Sequence, residues 1–238
     1  MDRKNSSPGS AAISKLPKLE FSNSLLPHEI QNDATVFLPM HMEQGYSYPL
    51  LIWLGGSNDS NRRLSKVMPR ISLRNYIGLT PGQGDILKSA DVTDPVFECL
   101  DKISLRYNIN NQRIFVAGCE QGGSDALRLA LTYPDCFAGA LSFSGRMPSH
   151  PSILGHLRKS RKTPLFVTHC REDNLYTEDD FCGDLKSLHV SGFSVTARQY
   201  PGTATINDQV LHDADVWMME VINGYDMTTS DQDFPENN

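Results

Sequence analysis

Ile114-Phe115-Val116-Ala117-Gly118-Cys119-Glu120-Gln121-Gly122-Gly123 decides how the rest of the chain is read. Arg113–Ala117 is a short apolar run of the length and composition of a buried strand. From Gly122 to Tyr133, Ala126, Leu127, Leu129 and Ala130 recur at helical spacing, and Pro134 stops the pattern. The strand therefore runs into a helix through Gly-x-X-x-Gly, with Glu120 in the middle. The glycines allow a tight, strained turn that lifts that middle side chain above the sheet. The helix N-terminus beneath it offers backbone N–H groups and the positive end of a dipole.

Working outward, short apolar runs alternate with helical patterns. Ala34–Pro39, Pro49–Leu54, Asn75–Thr80, Phe137–Ser144, Thr163–His169 and Phe193–Tyr200 read as further strands. Asp59–Arg70, Val92–Tyr107, Glu178–His189 and Ile206–Ile222 read as helices. In the second of these, Val96, Cys99, Leu100, Ile103 and Leu105 are expected on one apolar face. Trp53 and Trp217 are expected in the core. Alternation of this kind predicts an α/β fold, a mainly parallel sheet with helices on both faces, with the chemistry at the carboxyl ends of the strands. Residues 1–18, rich in Ser, Gly, Pro and Lys, read as a flexible tail, 19–224 as the domain, and 225–238 as an acidic flexible tail.

The 238 residues suit one such domain. A net charge of -6 with no long Lys/Arg run argues against nucleic-acid or anionic-membrane binding. No apolar run approaches the length of a membrane span, and the polar start of the sequence leads us to expect no secretory signal. The five cysteines, Cys99, Cys119, Cys136, Cys170 and Cys182, include no C-x-x-C pair. They read as reduced thiols in a cytoplasmic protein, with no metal site and no cofactor expected.

The elbow and its downstream landmarks resemble the phospholipase/carboxylesterase family of α/β hydrolases, which includes the acyl-protein thioesterases. That family's turn typically reads Gly-x-Ser-Gln-Gly-Gly. Tyr133-Pro134-Asp135-Cys136-Phe137-Ala138-Gly139-Ala140 and Ser142-Phe143-Ser144-Gly145 resemble its Tyr-Pro…Phe-x-Gly and Ser-Gly pattern. His169-Cys170-Arg171-Glu172-Asp173 resembles its His-Gly-x-x-Asp, which implies a catalytic acid at Asp173. Tyr200-Pro201-Gly202-Thr203-Ala204 resembles the segment that carries the catalytic histidine, here Ala204. Gly55-Gly56-Ser57-Asn58 resembles the loop that helps form the oxyanion hole, together with Gln121.

The departures fall on the chemistry. Glu120 stands where the resemblance implies a serine nucleophile, and Ala204 where it implies the base. A serine hydrolase needs an alcohol beside a general base and a donor pair for the oxyanion. His212 lies eight residues past Ala204, roughly 12 Å along a helix, too far to substitute. His169 is expected to orient backbone, Cys119 to point into the fold, and His28, His41, His150, His156 and His189 to serve surface or packing roles. The leading expectation is a catalytically impaired homologue that binds an unknown small molecule or protein. An active carboxylic-ester or thioester hydrolase with a rearranged site is the alternative, and a hydrolase of other bonds using the Glu120 carboxylate is a third. Glu120 and Asp173 are expected to face one another across a partly empty pocket, with Arg146 the first candidate to neutralise them.

Overall fold

The computed structural model describes residues 28–30, 34–55, 60–82, 91–149, 157–203 and 206–224. The strands are β1 (His28–Ile30), β2 (Ala34–Phe37), β3 (Tyr48–Leu54), β4 (Ile77–Thr80), β5 (Ile109–Cys119), β6 (Gly139–Phe143), β7 (Leu165–Cys170) and β8 (Val195–Tyr200). The helices are α1 (Ser60–Ile71), α2 (Thr93–Ser104), α3 (Gln121–Thr132), α4 (Leu157–Ser160), α5 (Glu178–Val190) and α6 (Asp208–Ile222). All eight strands join one sheet in the order β1-β2-β4-β3-β5-β6-β7-β8. From β4 to β8 every pair is parallel, while β2 runs antiparallel to β4 and β1 antiparallel to β2.

Central strands buried on both faces must be apolar at every position, and β3 is buried along its whole length. Alternate residues then serve opposite faces. Leu50, Ile52, Leu54, Val116, Ala140 and Val167 pack with Val96 and Ile103 of α2, Leu127 of α3 and Phe181 of α5. Leu51, Trp53, Phe115, Ala117, Leu141 and Phe166 pack with Leu64 and Met68 of α1 and with Leu211 and Trp217 of α6. The helices thus cover both faces, as the alternating pattern predicts.

Some details differ from the sequence reading. β1 and α4 are additional; three or four residues each are too few to show a period. β5 begins at Ile109, four residues earlier than the apolar run, because Tyr48 pairs with Ile109 across a register shift. Leu105 is 68% exposed and does not share the α2 face. It follows the last helical residue and lies two positions from Ile103, on the far side of a turn of about 3.6 residues. The two tails expected at 1–18 and 225–238 lie outside the described residues.

Trp217 shows how the α6 layer is locked. Its ring meets Phe115 at 6.2 Å and Phe166 at 5.6 Å, and its Nε1–H donates to Thr196 Oγ1 at 3.2 Å. A Cβ on Gly139 would lie 2.8 Å from Trp217 Cη2, so the indole occupies the space that a side chain there would need. Trp217→Ala should lower unfolding free energy by about 3–5 kcal/mol in a urea titration, the range for emptying a buried aromatic site. A loss below about 1 kcal/mol would contradict this packing account.

Candidate functional site

Between the end of β5 at Cys119 and the start of α3 at Gln121 there is only Glu120. It adopts φ 51° and ψ −118°, a conformation that costs a non-glycine residue about 1–3 kcal/mol. The turn is tight because α3 sits directly on backbone. A Cβ on Gly118 would come within 2.6 Å of the Leu54 carbonyl oxygen and would also strike Gly122. A Cβ on Gly122 would collide with the same carbonyl. Glu120 N–H donates to Phe143 O (2.9 Å), and Ser124 N–H donates to Glu120 O (3.1 Å). The backbone is pinned while the side chain is exposed and does not cap its own helix.

The neighbouring strand ends build the remaining walls. After β6, Ser144 also takes a positive φ, 52°, with its N–H donating to Thr168 O at 3.0 Å. After β7, Asp173 folds its own loop: Oδ1 accepts from the N–H groups of Leu175 (2.9 Å) and Tyr176 (3.1 Å). Glu172 N–H donates to Gly202 O (3.3 Å), which ties this loop to the one after β8. His169 is fully buried, its Nε2 is 2.8 Å from Tyr176 O, and its ring stacks on Phe181 at 5.0 Å. It orients the acid loop, as expected, and takes no place in the cleft wall.

Glu120, Gln121, Asp173 and Thr203 line one open cleft of about 470 Å³. The structure therefore brings together the expected nucleophile and acid positions and the residue just before Ala204. Ala204 itself, with Gly56, Ser57 and Asn58, lies outside the described residues, as do His150 and His156. Gly55 is described and half-buried, with its carbonyl carbon 3.4 Å from the position of a Gly122 Cβ. Cys119 packs into the apolar layer beneath α1 and α6, and His212 is exposed on α6. All five cysteines are free thiols. Among the described residues no group of three or more His, Cys, Asp or Glu could hold a metal ion, and no helix is long and apolar enough to cross a membrane.

Arg146 lines the cleft but does not serve as the neutralising partner expected for Glu120 and Asp173. Its Nη2–H donates to Leu175 O (2.6 Å) and Asp180 Oδ2 (2.9 Å), and its guanidinium lies 5.2 Å from the Tyr176 ring centre. The acidic first turn of α5, Glu178-Asp179-Asp180, draws it aside. That turn carries a capping box in which Thr177 and Asp180 satisfy each other's backbone N–H. Glu172, Ser144 and Tyr176 also line the cleft and were not singled out from the sequence. Glu172 and Ser144 sit inside motifs quoted for their neighbours. Tyr176 carries no sequence signal, because its place depends on the contact of its hydroxyl with Asp184 Oδ2 (2.7 Å).

The chain is matched over residues 88–214 by a family model described as Phospholipase/Carboxylesterase. A protein of Oryza sativa subsp. japonica named as a probable carboxylesterase is 31% identical over 109 residues, which is 45% of this chain and 41% of that one. The carboxylesterase SOBER1 of Arabidopsis thaliana is 26% identical over 121 residues, 50% of this chain and 53% of that one. The matched stretch thus spans about half the length of these relatives. The crystal structure of S-formylglutathione hydrolase FrmB from Staphylococcus aureus superposes with a TM-score of 0.64 at 18% identity, over 81% of this chain and 94% of that one. At that identity the likeness establishes the α/β-hydrolase fold.

The Arg146–Asp180 pair has a measurable signature. Hydrogen bonds from Arg146 and then from Thr177 hold the Asp180 carboxyl below the usual carboxylate range. Its stabilisation is therefore complete above the unfolded pKa of about 3.9 and disappears as pH falls through the lower folded value. Arg146→Met removes most of that term, so its Tm should fall less steeply than the wild type's between roughly pH 5 and pH 2. The difference should be small because the pair is solvent-exposed. Parallel Tm profiles from thermal melts would show that the pair contributes nothing.

Proposed function

The chain belongs to the phospholipase/carboxylesterase family of α/β hydrolases, and from that premise we propose that it is a catalytically impaired member that acts by binding. In this reading Glu120, Asp173 and Ala204 occupy the positions of nucleophile, acid and histidine and do not form a working triad. The observation that carries it is the Glu120 carboxylate at the strained turn above the strand ends, exposed beside the Asp173 loop with no histidine among the described lining residues. Acyl transfer in this fold needs a neutral hydroxyl activated by an imidazole. Glu120 offers no hydroxyl for a base to activate. Ala204 brings no base, and His169, the histidine nearest the acid in sequence, is committed to the Tyr176 carbonyl. The free cysteines accord with a reducing, cytoplasmic setting.

A second reading is favoured by one observation: the elbow backbone stays tight, with Gly118 and Gly122 against Leu54, within the stretch that the Phospholipase/Carboxylesterase family model matches. Under it, the cleft hydrolyses carboxylic esters or thioesters through a rearranged site.

Turnover of short-chain aryl esters separates the two. The wild type should hydrolyse 4-nitrophenyl butyrate no faster than buffer. Glu120→Ser alone should change little. Glu120→Ser with Ala204→His should raise the rate by at least about tenfold, a modest fraction of what a positioned general base supplies. Robust wild-type turnover that is abolished by Glu120→Gln would overturn the impaired reading and support the second.

A further inference from the structure

We propose that the acidic segment 225–238 of this chain docks along the sheet edge opposite the cleft, in two grooves that carry unpaired cations. The α6 helix brings the chain back to that edge. Its end lines the first groove, of about 410 Å³, where Ile222 and Asn223 meet Tyr48 and Pro49 at the start of β3. Arg74 and Arg113 line the same groove against one acid, Glu43. A second groove, of about 580 Å³, opens where the chain enters β6 and β7, and Arg158, Lys159 and Lys162 line it. Its one acid, Asp135, is held by Lys159 at 2.6 Å. Among the described residues Arg74, Arg113, Arg158 and Lys162 have no ion-pair partner. Both grooves are therefore net positive, on a chain whose formal charge is -6.

Position, charge and pattern select the occupant. Gly224 is the last described residue and follows directly on Asn223, so the segment starts at the rim of the first groove. Residues 225–238 hold Asp226, Asp231, Asp233 and Glu236 and no Lys or Arg. Tyr225 and Met227 flank the first of these acids, and Phe234 follows Asp233. Each groove offers the matching pair of surfaces. Met219 and Ile222 lie beside the arginines of the first, and Pro134 and Ala138 beside the cations of the second. The reach suffices. Arg113 belongs to β5 and Pro164 precedes β7, two strand spacings away, or about 10 Å. The seven residues from Asp226 to Asp233 span up to about 23 Å when extended. Covalent attachment at Gly224 also presents the segment at an effective concentration in the millimolar range, which a free anionic partner would have to exceed.

Zero-length carbodiimide coupling of the full chain, read by peptide mass spectrometry, tests this docking. The reagent joins a carboxylate to a lysine amine only where the two meet. Asp135 and Lys159 should couple in every sample, which reports that the reagent enters the second groove. Asp231, Asp233 or Glu236 should couple to Lys162, and in a mixture of unlabelled and heavy-isotope-labelled protein the link should stay within single chains. Arg113→Gln with Arg158→Gln should lower that yield at least about threefold, a modest loss for two exposed ion pairs. About 1 M salt, where the screening length is about 3 Å, should lower it similarly. Arg198→Gln, on β8 outside both grooves, should leave it unchanged. The proposal is overturned if 225–238 does not couple to Lys162, which would leave the grooves to an external anionic partner. It is also overturned if the segment couples as strongly to Lys66 of α1 or Lys186 of α5, both exposed and outside the grooves. Links joining labelled to unlabelled chains would make a second copy the occupant. A loss in Arg198→Gln equal to that of the double variant would reduce the effect to general charge and overturn it too.

Discussion

The contact between the Leu54 carbonyl at the end of β3 and the glycines at 118 and 122 governs this molecule's functional edge. It brings the first turn of α3 down onto the ends of β3 and β5 with no side chain between. One residue is then left to turn the chain, and it must take a positive φ. Whatever occupies position 120 is raised at the mouth of the cleft and set at the N-terminus of a helix. The same approach fixes the position of Gly55, whose carbonyl carbon packs against Gly122. The β6 and β7 ends add Ser144 and the Asp173 loop because the parallel register carries every strand to the same edge.

With the position fixed by backbone packing, the identity of its side chain decides the chemistry. In an acyl-transfer site, negative charge develops on the substrate oxygen beside the α3 N-terminus. One donor of an oxyanion hole supplies about 2.7–4 kcal/mol towards that charge. A fixed carboxylate about 4 Å away opposes it by about 4 kcal/mol at an effective dielectric near 20. The two terms are of similar size and opposite sign, which is the physical basis of the proposed impairment. The same carboxylate is stabilised by the helix dipole and adds to the field of Glu172 and Asp173.

The architecture was legible wherever it rests on period and punctuation. The fully buried runs of β3 and β5, the proline that ends α3 and the glycines around Glu120 each carry a local physical signature. The boundaries of β5 and the existence of β1 were not legible, because they depend on which partner strand lies alongside. Leu105 looked apolar and in phase but falls past the end of α2, on its far side. The site was read through Glu120 and Asp173, whose residue types break or keep a motif. Arg146 shows the limit of that reading. Its proximity in sequence to the strand end suggested a partner for Glu120, but its actual partners, Leu175 and Asp180, come from a loop and helix some thirty residues away. Ser144 was visible only as part of a motif; its burial beside Cys170 follows from the three-dimensional setting.

The central claim, that this fold holds a cleft without a working nucleophile, is tested most directly by intact-mass measurement after exposure to a fluorophosphonate. Such a reagent reports a single activated hydroxyl even when turnover is too slow to see. The account predicts an unchanged mass for the wild-type chain and a single stoichiometric adduct for Glu120→Ser combined with Ala204→His. A stoichiometric adduct on the wild-type chain, mapped to any residue lining the cleft, would contradict it.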